Sequence, residues 1–180
     1  MKSFLAYMGG KSLLANKIIP KIPEHKCYVE VFAGAARIKD PSFSIATTSK
    51  PRLNLLRIEE ELSAIHLRLS RVYIENKDYA EVFPRFDKPD TFFYIDPPYY
   101  RCEDYYGKGV FDQTDFVKLR NILAGISGRF ILSINDADYI RDLFNAFHIE
   151  TVETSYSAGG ANKKKRVNEL LIMNFTPKKN

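Results

Sequence analysis

The sequence is poor in the residues that build stapled or metal-held proteins. It has two cysteines in 180 residues, Cys27 and Cys102, too few for a disulfide framework or a four-thiolate zinc site. Of its three histidines, His25, His66 and His148, none stands in a ligand-like cluster, so no metal centre is expected. No apolar run is long enough to span a bilayer. The opening residues Met1-Lys2-Ser3-Phe4-Leu5-Ala6-Tyr7 soon reach Gly9-Gly10-Lys11 without the sustained apolar stretch of a signal peptide. There is no internal repeat and no low-complexity segment beyond Lys163-Lys164-Lys165-Arg166. These absences predict a cytoplasmic protein in a reducing compartment, with no membrane and no metal.

What is present points to a packed domain. The chain is 45% hydrophobic and 13% aromatic, which argues against disorder. Its length fits a single domain spanning residues 1–180, with a substantial core. Lys and Arg number 27 against 22 Asp and Glu, a net charge of +5. That excess permits nucleic-acid binding without proving it.

Segments rich in β-branched and aromatic residues predict strands over 27–32, 72–75, 91–95, 129–134, 148–154 and 169–175. Helical spacing appears from 12 to 19, ending at Pro20, and in the series Leu55, Ile58, Leu62, Ile65, Leu69 and Val72. Asp112 or Thr114 can cap a helix carrying Phe116, Leu119, Ile122 and Leu123 that ends at Gly125 or Gly128. Asp136 can cap another with Ile140, Leu143 and Phe144 on its apolar face. Residues 83–90 and 157–165 read as loops. Strands alternating with helices predict an α/β layer architecture, and the last two strands a hairpin.

Three segments can carry chemistry. In Tyr94-Ile95-Asp96-Pro97-Pro98-Tyr99-Tyr100 a strand ends on a carboxylate followed by two prolines and two aromatics. Open α/β sheets bind ligands at the carboxyl ends of their strands. The prolines fix the backbone and lack N–H donors. A carboxylate and a rigid carbonyl together accept two hydrogen bonds, which suits an amino group, and a neighbouring ring can stack on a planar base. A strand-terminating turn explains the prolines but not the whole combination. In Tyr28-Val29-Glu30-Val31-Phe32-Ala33-Gly34-Ala35-Ala36 a strand runs into a small-residue turn that permits close backbone approach to a nucleotide-like ligand, or is a plain strand-to-helix turn. In Tyr7-Met8-Gly9-Gly10-Lys11-Ser12 glycines precede a helix start with Lys11 beside it, an arrangement that favours a carboxylate. A P-loop would need glycine at position 5, where Leu5 stands.

In this order, the Gly9-Gly10-Lys11 opening, the Glu30 to Ala35 loop and the Asp96-Pro97-Pro98-Tyr99 box resemble the Dam-type adenine-N6 DNA methyltransferases. So do Ile131-Leu132-Ser133-Ile134-Asn135-Asp136, Tyr156-Ser157-Ala158-Gly159-Gly160 and Asn168-Glu169-Leu170-Leu171-Ile172. The resemblance implies a Rossmann-like sheet with helices on both faces and a C-terminal β-hairpin, in a compact member with no separate target-recognition domain. It implies S-adenosylmethionine as cofactor, held by Tyr7, Gly9, Gly10, Lys11, Glu30, Phe32, Gly34, Asp78 and Asp96. It assigns catalysis to Asp96, Pro97, Pro98 and Tyr99. The target adenine would meet Tyr99 and Tyr100, with Tyr156 as a further aromatic, and Lys163, Lys164, Lys165 and Arg166 would meet the DNA phosphates.

The family's ribose-gripping acid at the end of the second strand has no counterpart: Asp40 comes too early, Glu59 falls inside a helical pattern, and residues 43–47 end in hydroxyls and Lys50. The box itself also occurs in methyltransferases acting on RNA or protein glutamine. Three readings therefore stand: a site-specific adenine DNA methyltransferase, as in restriction–modification; a degenerate relative that only binds DNA or cofactor; and an amino-methyltransferase with another substrate.

Overall fold

A computed structural model describes residues 14–32, 62, 63, 66, 67, 69–103, 109, 111–157 and 164–177. The chain divides into two units. One comprises Met1–Gly10 and Gly34–Lys77, the other Lys11–Ala33 and Asp78–Asn180. In the first unit, Leu62, Ser63, His66, Leu67 and Leu69 are helical, within the predicted amphipathic helix. Residues 72–77 are exposed and irregular rather than a strand. Aromatic and β-branched content favours a strand only where a neighbouring strand and a buried face are available.

The second unit is a mixed α/β layer structure around a five-stranded sheet in the order β1-β2-β3-β5-β4. The strands are β1 (Cys27–Glu30), β2 (Thr91–Ile95), β3 (Arg129–Asn135), β4 (His148–Ser157) and β5 (Lys164–Met173). β1, β2 and β3 are parallel, and β5 runs antiparallel to both β3 and β4. All five residues of β2 are buried. Such a continuous apolar run marks a parallel strand covered on both faces.

Both faces are covered. On one lie α2 (Tyr79–Phe86), α3 (Gln113–Gly125) and α4 (Asp138–Leu143), with Phe83, Phe116, Leu119, Leu123 and Ile140 packed on Phe93, Ile95, Phe130, Leu132 and Ile134. On the other lies α1 (Ala15–Ile18), continued by a 3₁₀ turn through Pro20; Leu14 and Ile18 pack there on Phe92, Tyr94, Ile131, Leu171 and Met173. The two-residue period of a strand separates these sets.

Helix boundaries follow capping chemistry. Asp112 accepts from the backbone N–H of Thr114 and Asp115, and Asp115 accepts from the N–H of Asp112, a complete capping box at the start of α3. Asp136 does not cap α4; its carboxylate holds Arg141 at 2.7 and 2.8 Å, and the helix begins after Ala137. The first half of the predicted loop 83–90 belongs to α2, which runs through Pro84 and is capped by Asp78, while residues 87–90 are loop and turn.

At the end of the sheet remote from the carboxyl termini of β1 to β3, Asp87 accepts from the backbone N–H of Ser127 and Gly128 at 2.8–2.9 Å. A Cβ on Gly128 would stand 2.9 Å from both the Phe93 ring and the Thr91 carbonyl oxygen. Only glycine fits that approach.

Candidate active site

Parallel pairing of β1, β2 and β3 brings their carboxyl ends to one edge. Glu30 ends β1, Asp96-Pro97-Pro98 follows β2, and Asn135 ends β3. Because β5 runs the other way, Glu169 lies opposite Asn135 at the same edge. Beyond that point β4 and β5 continue pairing for five further positions, Glu153↔Asn168 to Ser157↔Lys164. At about 3.3 Å per residue this ribbon extends about 17 Å past the end of β3.

Three side chains from β3 and β5 hold the segment that follows β2. The Ser133 hydroxyl donates to Asp96 Oδ1 at 3.3 Å, and the Tyr94 hydroxyl lies 3.0 Å from Ser133 Oγ. Since Ser133 has one proton and gives it to Asp96, Tyr94 is the donor in the second bond. Asn135 brackets the backbone of Tyr100, accepting from its N–H at 2.9 Å and donating to its carbonyl at 3.1 Å. The Tyr99 hydroxyl donates to Glu169 Oε1 at 2.5 Å, and Glu169 is fully buried. Pro97 and Pro98 are buried too, and neither presents an N–H that would need a partner there.

The electrostatics follow from this packing. Burial raises the Tyr94 phenol far above its ordinary pKa, with the Asp96 charge adding to the effect. Burial and then the Glu169 charge do the same to Tyr99. Both phenols are therefore protonated donors at any physiological pH. The Glu30 carboxyl is raised by desolvation, although the residue keeps an exposed surface at the strand end.

The other expected residues are distributed as follows. Phe32 packs against Tyr79 and Phe111, with ring centroids 5.5 and 5.9 Å apart, on the three-helix face. Asp78 accepts from the N–H of Ala80 at 2.8 Å as the cap of α2, next to Tyr79. Tyr100 points its ring into the three-helix layer, stacked on Tyr139 at 4.9 Å and edge-on to Phe116. Arg166 is exposed and lies 3.4 Å from Glu153. Lys164 and Lys165 belong to β5 and Tyr156 to β4, but their side chains, and Tyr7, Gly9, Gly10, Lys11, Gly34 and Lys163 altogether, lie outside the described residues. Among the described residues no group of three His, Cys, Asp or Glu is arranged to hold a metal, and no helix is long and apolar enough to cross a membrane.

Ser133, Asn135 and Glu169 had not been singled out as site residues. The available signal was a polar residue inside an otherwise apolar strand: Ser133 within Phe130 to Ile134, and Glu169 ahead of Leu170-Leu171-Ile172.

The D12 class N6 adenine-specific DNA methyltransferase family matches the chain over residues 7–45 and 42–158. The chain is also similar to the Type II methyltransferase M.CviBI of Paramecium bursaria Chlorella virus NC1A, with 23% identity over 111 residues, covering 59% of this chain and 43% of that protein. It thus spans less than half the length of the curated relative it matches. Glu30, Asp96, Ser133 and Asn135 fall inside the family match; Glu169 falls beyond it.

Proposed function

The chain belongs to the D12 class N6 adenine-specific DNA methyltransferase family, and on that premise we propose that it transfers a methyl group from S-adenosylmethionine to the exocyclic N6 of adenine in DNA. The observation that carries this reading is Asp96 at the carboxyl end of β2, its Oδ1 engaged by Ser133 from the neighbouring strand, with Tyr99 fixed three residues on. We propose further that residues 1–180 form one cytoplasmic methyltransferase domain of Rossmann-like type, ending in a β-hairpin.

The residues present fit the cofactor. Glu30 offers a carboxylate to an ammonium group at the strand end, and the partly buried Phe32, backed by the buried rings of Tyr79 and Phe111, offers aromatic surface to a nucleoside. Tyr7, Gly9, Gly10, Lys11, Gly34 and Asp78 join them on the family resemblance, with Lys11 facing the carboxylate. When bound, S-adenosylmethionine supplies an electrophilic methyl group on a sulfonium.

The protein's part is to prepare the amine. Adenine N6 is a poor nucleophile because its lone pair is delocalised into the ring. Asp96 accepts one of its N–H bonds and the Pro97 carbonyl the other, which favours a nucleophilic geometry. The base cannot be reached inside a duplex, so it is extruded and stacks on Tyr99. Holding amine and methyl in line then supplies the proximity component of catalysis. Lys163, Lys164, Lys165 and Arg166 meet phosphates and give affinity without sequence information.

Incubation of the protein with methyl-labelled cofactor and a mixture of DNA, RNA and protein tests the proposal. The label is expected on adenine N6 of DNA. Label on RNA or on protein glutamine instead would replace the substrate, and calorimetry showing no cofactor binding at about millimolar ligand would leave a binding module at most.

A further inference from the structure

The least expected side chain at this edge is Glu169. Its neighbours Leu170, Leu171, Ile172 and Met173 are all fully buried and apolar, so an apolar residue would complete the layer. Glutamate is almost never fully buried unless paired, and an ionised carboxylate there costs several kcal/mol before its interactions offset it. It accepts the Tyr99 hydroxyl at 2.5 Å, a short hydrogen bond. The register makes the contact specific. Glu169 lies across from Asn135, which brackets the backbone of Tyr100. Backbone and ring of consecutive residues are thus fixed from two adjacent strands. A tyrosine ring held only by its own backbone swings about χ1; a hydrogen bond at the far end pins the hydroxyl and with it the direction of the ring axis.

We infer that Glu169 is a positioning residue: through the hydroxyl of Tyr99 it fixes where the ring on which the extruded base stacks lies at the sheet edge. The role rests on the proposed methyl transfer to a flipped base. Glu169 touches neither base nor cofactor; it acts by keeping Tyr99 in the stacking orientation before the base arrives. The ordering is done in advance, so the base meets a ready surface.

The test is a set of four variants, E169L, E169Q, Y99F and the double variant Y99F/E169L, assayed on the DNA that the wild-type protein methylates. Leucine keeps the volume and suits the buried strand; glutamine keeps an acceptor. E169L is expected to lower kcat about tenfold, the loss of one hydrogen bond to a charged group, while the dissociation constants for DNA and cofactor stay within about twofold. E169Q recovers most of that loss, and E169L costs markedly less once Tyr99 lacks its hydroxyl. An equal loss from E169L in both backgrounds overturns the role, because Glu169 would then act independently of Tyr99. A parallel fall in cofactor affinity and melting temperature also overturns it, leaving a structural carboxylate. Wild-type protein that methylates no adenine overturns the proposed function, and this role with it, whereas additive losses in an active enzyme overturn the role alone.

Discussion

The carboxylate of Asp96 is held by a hydroxyl from the next strand, so its removal separates chemistry from folding. Asp96→Ala is expected to reduce methyl transfer at least about a hundredfold, the scale of losing one aligned polar group at a reacting centre; thermal unfolding within a few degrees of wild type shows that the fold survives. Retained transfer would remove Asp96 from the mechanism. Glu30 supplies a pH signature. Its carboxyl is raised in the folded state by desolvation, so the folded protein holds that proton more tightly than the unfolded chain does. The cost is absent below the ordinary carboxylate range and complete above the raised value. Glu30→Gln is therefore expected to be neutral in acid and stabilising at pH 7, as read by denaturant unfolding at the two pH values. Under the proposed function, cofactor affinity should rise with increasing pH as Glu30 ionises, and the same variant should flatten that rise. Asp96 was legible because four consecutive residues made a chemical unit. Ser133 and Glu169 were not, because one hydroxyl or one acid in an apolar strand has no meaning until its neighbour across the sheet is known.

At the scale of elements, local chemistry was read correctly where it was self-contained. The capping box at Asp112 and Asp115 needs only four consecutive residues, and α3 begins after Asp112, one of the two caps that the sequence offered. Asp112→Ala should lower the midpoint of chemical denaturation without changing its slope, as the loss of a helix cap does. Gly128 is the opposite case, required by residues distant in sequence. A methyl group there meets Phe93 and the Thr91 carbonyl, so Gly128→Ala should destabilise by about 1–3 kcal/mol while leaving activity per folded molecule intact, since the contact lies at the far end of the sheet. Helix α2 escaped the sequence reading, which placed a loop over 83–90, although Asp78 followed by Glu81 at the third position is an N-terminal signature. Asp136 was expected as a cap and became an ion-pair partner, since Arg141 offered a charge where a helix start offered only backbone N–H groups.

At the scale of the molecule, the edge carrying Asp96 is flanked by the long β4–β5 ribbon, which carries Arg166. Under the proposed function, DNA affinity should fall linearly with the logarithm of salt concentration. Arg166→Ala should then make that slope shallower by about one, as measured by fluorescence anisotropy over a salt series. An unchanged slope would confine Arg166 to its pair with Glu153.

By itself the sequence determined the strands that form the sheet's centre, the helix α3, and the Asp96-Pro97-Pro98-Tyr99 box at a strand end. These follow from side-chain period, caps and proline chemistry, which act within a few residues. The antiparallel pairing of the last two strands was expected; only the tertiary structure decided that β5 rather than β4 lies beside β3, antiparallel to it. That single choice sets Glu169 beside Tyr99, and its cause is long-range. Strand order and register are fixed by burying two apolar faces at once, a condition that no local stretch of the chain can express.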